Sequence, residues 1–160
     1  EYHGGGAAAT IEPLSEHLEH YRSMLMSNLA LGVQACYRGP RLFDTPQTEA
    51  MVREAVAWFR EYRSILEADV VHGRRADGRD LDWMLHADPL GAPRGMLVVF
   101  NPTDAPIART LHVDLHYTGV RETATLHTVG GAQSQHPLRG TVLPLDVNVP
   151  ARAMSWFVIE

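Results

Sequence analysis

Residues 31–37 read LGVQACY, a short and nearly continuous apolar run between two stretches of helical periodicity. Before it, over residues 12–30, Leu14, Leu18, Tyr21, Leu25 and Asn28/Leu29 recur at the i, i+3/i+4 spacing of one buried helix face. Pro13 suits the first turn, Glu12 and Glu16 favour its positive end, and Gly32 follows as a C-terminal cap. After the run, over residues 45–68, Met51/Val52, Ala55/Val56, Phe59, Tyr62 and Ile65/Leu66 make a second stripe. Asp44 or Thr45 serves as its N-cap, and Pro46 sits where helix starts tolerate proline. Helix, buried strand, helix is the order of a parallel α/β protein. One parallel strand cannot satisfy its own backbone or cover both its faces, so the pattern demands further strands. Nothing after Asp69 reads as a βα unit. The expectation is that the missing strands precede Glu1 and that the chain is the tail of a longer protein.

From Val70 onward the period shortens to about two, and turn residues recur along the chain. Residues 70–74, 81–86, 96–100, 108–115, 122–128, 141–147 and 153–159 read as strands. They are separated by Asp77-Gly78, Asp88-Pro89, Asn101-Pro102, Gly119 and Gly130-Gly131. Seven or eight short strands without a helical stretch predict an antiparallel β-sandwich. Pro150, Trp156 and Phe157 suit a closing strand packed into its core. The chain thus divides into residues 1–68, the end of a β/α array, and residues 70–160, an all-β module.

A net charge of −5 with acids and bases interspersed argues against a nucleic-acid surface, which would cluster Lys and Arg. No run of about 18 apolar residues is present, so no membrane span is expected. The opening EYHGGGAAAT lacks the basic and apolar regions of a signal peptide. The single Cys36 leaves no intramolecular disulfide and no cysteine-cluster metal site, and in an apolar run it reads as inert core.

Few residues carry a chemical motif. His17 and His20 are three apart on the first helix, but HLEH is not the HExxH zinc pattern and no third ligand stands at metal spacing. Asp77-Gly78-Arg79-Asp80 lacks the acidic spacing of a calcium loop and reads as a hairpin turn. There is no GxSxG, P-loop or dinucleotide fingerprint. The loop Tyr2-His3-Gly4-Gly5-Gly6 is either a flexible end or a place where backbone approaches a ligand closely. Arg38, after the apolar run, suits a carboxylate, a pair of hydroxyls, or a structural tie before Pro40. If the two helices close a (β/α)8 barrel, both segments lie on its catalytic face.

Several stretches together resemble a known family. They are GVQACYRGPRLFDT (32–45), YRSILEADVVHGRRADGRDLDWMLH (62–86), RGMLVVFNPTDAPIARTLHVDLHYTG (94–119) and VPARAMSWFVIE (149–160). They are similar to the C-terminal part of bacterial glycoside hydrolases of the α-galactosidase (melibiase-like) clan, and the resemblance runs from Tyr2 to Glu160. It implies a catalytic (β/α)8 barrel followed by a C-terminal β-sandwich. In that clan the catalytic carboxylates sit at the ends of barrel strands four and six, and a retaining pair stands about 5 Å apart. No Asp or Glu of this chain matches either position.

The resemblance therefore implies a C-terminal fragment of a carbohydrate-active hydrolase that cleaves O-glycosidic bonds. The fragment itself would be inactive, and Tyr2, His3 and Arg38 would remain as substrate-binding rim. The expected fold is α/β plus all-β: two helices and one parallel strand from the end of a (β/α)8 barrel, then an antiparallel β-sandwich. The expected partner is a carbohydrate substrate of the full-length parent, with no cofactor, metal, nucleic acid or membrane. A different reading is that the sandwich is a non-catalytic carbohydrate-binding or structural module. Trp83 and Tyr117 are the aromatics it would offer.

Overall fold

The computed structural model describes residues 11–33, 39–128 and 130–160. The chain forms two compact units, residues 1–66 and 67–160.

The first unit begins with a 3-10 turn, Leu14–His17, that runs into helix α1, Leu18–Ala30. Leu14, Tyr21, Leu25 and Leu29 are buried along it, as the periodicity predicts; Leu18 is only half-buried, and Ala30, outside the expected stripe, is buried too. Gly32 ends the helix with φ +72°. Its N–H donates to Leu29 O at 3.0 Å and the Val33 N–H reaches Asn28 O at 3.2 Å, the paired bonds of a Schellman cap. The predicted strand therefore does not begin at Leu31: residues 31–33 close the helix. Its remainder, 34–37, lies outside the described residues.

Helix α2 spans Pro46–Leu66. Thr45 is its N-cap, with Thr45 Oγ1 accepting the Thr48 N–H at 3.3 Å. The buried stripe is Thr48, Met51, Ala55, Trp58, Ile65 and Leu66. It departs from the expected stripe by including Trp58, while Val56 is 40% exposed. Met51, Ala55 and Trp58 follow steps of four and three, which leaves Val56 on the neighbouring, wetter side. Trp58 and Tyr62 stack at a tilt, 5.9 Å between ring centres. Leu14, Tyr21, Leu25 and Met51 form one buried cluster joining the two helices.

The described residues of the second unit form eight strands: β1 Asp69–His72, β2 Asp82–Ala87, β3 Gly95–Phe100, β4 Ile107–Asp114, β5 Thr123–Thr128, β6 Gln133–Pro137, β7 Val142–Val149 and β8 Met154–Ile159. They make a six-stranded antiparallel sheet in the order β1-β2-β3-β8-β5-β6 and a two-stranded sheet, β4-β7. Val71, Leu85, Leu97 and Phe157 align as one cross-strand row on the inner face of the larger sheet. Against that face lie Leu111 and Val113 of β4 and Leu143, Leu145, Val147 and Val149 of β7, in one core. This is the sandwich the alternation predicts, and full burial of each such aliphatic is worth about 1.5–3 kcal/mol. On the opposite face of the larger sheet Met84, Met96 and Val98 are also buried, together with the polar His86. The continuous run GMLVVF, rather than an alternating one, already carries that signature.

Two details depart from expectation. Strand β6, QSQHP, has no apolar alternation, so the period-two pattern does not predict it; it pairs with β5 alone and is largely exposed. Asp77-Gly78 is not a tight two-residue hairpin. Residues 73–81 make a longer connection in which Asp77 accepts the Arg79 N–H at 2.9 Å and pairs with Arg74 at 2.7 Å.

Candidate functional site

Tyr2, His3 and Arg38, the residues predicted to touch substrate, lie outside the described residues, as does Cys36. The segments that follow them are described. Arg41 forks onto Glu12, with Nε to Oε1 at 3.3 Å and Nη2 to Oε2 at 3.2 Å. Asp44 Oδ2 accepts both the N–H and the hydroxyl of Ser15, at 3.1 and 3.2 Å. Asp44 Oδ1 takes the Thr48 hydroxyl at 3.0 Å. The Tyr21 hydroxyl donates to Leu42 O at 2.9 Å.

Both Glu12–Arg41 and Ser15–Asp44 are separated by 29 residues. Equal offsets mean that the two lead-in segments run side by side in the same direction. Arg22 reaches Glu54 further along, at 3.4 Å, so α1 and α2 also run in the same sense. No spacing rule in the sequence announces these long-range pairs. The one local signal was the acceptor-rich Asp44-Thr45 before Pro46, and it identified only the cap.

Burial works to raise the pKa of Asp44, but the hydrogen bonds from Ser15, Thr48 and its own N–H outweigh it. They hold the carboxyl below the ordinary aspartate value. At neutral pH the junction is therefore ionised and fully bonded. Leu42 and Phe43, between Arg41 and Asp44, are 56% and 43% exposed.

In the second unit Trp83 is not an open platform. Its ring lies flat on Gly73, where an added Cβ would sit 2.0 Å from Cε3, and it packs against the sandwich core. Tyr117 is 62% exposed on the short 3-10 turn His116–Thr118, edge-on to His116 at 5.1 Å. The Asp77, Asp80 and Asp82 cluster is occupied by Arg74 and Arg109. Burial raises the pKa of Asp82; Arg74 opposes this, and Asp77 and Asp80 reinforce it. His17 and His20 are exposed, and among the described residues no group of three or more His, Cys, Asp or Glu side chains can hold a metal. No described helix is long and apolar enough to cross a membrane.

The sequence matches no family model. It also matches no curated protein. Solved structures do share its fold. α-Galactosidase I from Mortierella vinacea is 12% identical with a TM-score of 0.56, over 88% of this chain and 35% of its own. An α-amylase from Geobacillus thermoleovorans, complexed with acarbose, is 12% identical with a TM-score of 0.59, over 89% and 34%. An Anoxybacillus α-amylase is 12% identical with a TM-score of 0.59, over 94% and 36%. The chain spans about a third of these proteins. It has the fold of the C-terminal part of glycoside hydrolases.

Proposed function

We propose that the chain is the C-terminal part of a glycoside hydrolase that cleaves O-glycosidic bonds. Residues 1–68 are the end of its (β/α)8 catalytic barrel, of the melibiase-like clan, and residues 70–160 its C-terminal β-sandwich. The observation that carries this reading is the pair of same-sense helices tied at their N-terminal ends. In a (β/α)8 barrel the loops before such helices share the catalytic face, and the substrate meets them there. The fold likeness to α-galactosidase and α-amylase over most of the chain supports the same order of parts.

On this reading the catalytic carboxylates belong to sequence preceding residue 1, and the chain contributes rim. Tyr2 would lie along the apolar face of a sugar, while His3 and Arg38 would bond its hydroxyls. The sandwich supports the barrel and does no chemistry. The second reading, a carbohydrate-binding sandwich, rests on Tyr117 alone, because Trp83 is covered by Gly73.

The test compares the 160-residue chain with its full-length parent on aryl glycosides. The chain alone is expected to be inactive. In the parent, Arg38→Ala is expected to raise KM or lower kcat while leaving Tm nearly unchanged. Hydrolysis by the chain alone, lost on replacing one of its own acids, would overturn the proposal. Normal kinetics with a large drop in Tm would make Arg38 a structural residue.

A further inference from the structure

Arg41, Leu42 and Phe43 are exposed, and the half-buried Asp44 anchors the segment they belong to. Apolar side chains on a compliant loop fold back to escape water. Here the residues on both sides of Phe43 are tied to the helical elements. Arg41 forks onto Glu12, Leu42 O accepts the Tyr21 hydroxyl, and Asp44 is bonded to Ser15 and Thr48. Phe43, 43% exposed, thus stands between two tied neighbours.

We propose that Phe43 is the stacking platform of a pyranose subsite, with the Arg41–Glu12 pair as its polar side. This rests on the carbohydrate reading above and adds a site to it. A pyranose ring has an apolar C–H face and a hydroxyl edge. A phenyl ring on a fixed backbone suits the first at little conformational cost. Arg41 suits the second, because Nη1 takes no part in the fork with Glu12 and remains a donor for a sugar hydroxyl. Glu12, whose side chain is 24% exposed, supplies acceptor oxygens beside it. A protein partner fits the segment poorly. Two apolar side chains between an arginine and an aspartate fall far short of the roughly 800 Å² per partner that a stable interface buries. One sugar ring is the right size.

The experiment titrates the isotope-labelled 160-residue chain with D-galactose, D-glucose and maltotriose, following the Phe43 ring and the Arg41 guanidinium by NMR. Saturable shifts at both are expected with at least one sugar. Phe43→Ala is expected to weaken that binding about three- to tenfold and Phe43→Trp to restore it, with Tm unchanged in both. Arg41→Gln, which keeps the phenyl ring, is expected to weaken it as well. Shifts confined to Tyr117 and its neighbours would overturn the subsite and leave a sugar-binding protein. A chain silent to all three sugars, from a parent that hydrolyses aryl glycosides, would overturn the subsite alone. A parent that is inactive as well would overturn the hydrolase reading with it. Loss of Tm in Phe43→Ala with binding intact would make Phe43 a packing residue.

Discussion

Asn101 shows how a motif suggestive of function can be structural. Its side chain is 2% exposed. Nδ2 donates to Ala105 O, Val149 O and Pro150 O at 2.8, 3.0 and 3.0 Å, while Oδ1 accepts from the Thr103 N–H and hydroxyl. One amide thus fixes the NPTD turn after β3 to the end of β7. Asn101→Ala would remove the buried amide that serves the Val149 carbonyl and the Thr103 N–H, while Ala105 O keeps the Thr103 hydroxyl and Pro150 O the Ala153 N–H. The expected loss is about 2–4 kcal/mol, read from denaturant melts, and Asn101→Asp should be nearly as damaging because it replaces the donor with a charge. A loss below ~1 kcal/mol would show that water satisfies the turn instead. The sequence offered NPTD as a turn, which the structure has, but not the residues 48 and 49 positions away that its asparagine holds.

At the scale of elements, the junction of α1 and α2 is the part that acid should release. Asp44 has a folded-state pKa below that of an unfolded aspartate, so the sign is definite. Its stabilising contribution is complete above the unfolded value, about 3.9, and disappears as pH falls through the lower folded value. Asp44→Asn should therefore lower the helical melt at neutral pH and match wild type once the wild-type carboxyl is protonated. Helix signal followed from pH 7 to 2 in both proteins checks this. A constant gap across the range would mean that the bonds, and not the charge, carry the effect. Elements announced by apolar periodicity or by cap chemistry were legible: α1 with Gly32, α2 with Thr45 and Pro46, and the strands β2, β3, β7 and β8. Strand β6 was not, because an edge strand with neither face in the core leaves no hydrophobic trace. Trp58 was missed because Val52 and Val56 offered a competing stripe one residue over. Of the candidate site, the sequence supplied Tyr2, His3 and Arg38 as residues. It gave no sign of the ties at Glu12–Arg41 and Ser15–Asp44, since nothing local encodes which distant partner a surface charge meets.

At the scale of the molecule, neighbouring residues in the middle of the larger sheet are both buried. Val98 and Val99 point to opposite faces and both have zero exposure. Val98→Asp should thus be as disruptive as Val99→Asp, each exceeding about 3 kcal/mol or abolishing the cooperative melt. A sandwich with water behind its larger sheet would tolerate the first, and a mild Val98→Asp would reveal one. The strand order has a further consequence, in the timing of folding. Strand β8 lies between β3 and β5, so it alone joins β1-β2-β3 to β5-β6. Residues 154–159 are the last of the sheet's strands to leave the ribosome. Until they do, the larger sheet exists as two unconnected pieces with raw edges, and β3 waits more than fifty residues for its neighbour. Synthesis therefore passes through an interval in which nearly the whole module has been made and cannot close, the window in which such a chain most needs a chaperone or a slow, dilute nascent state.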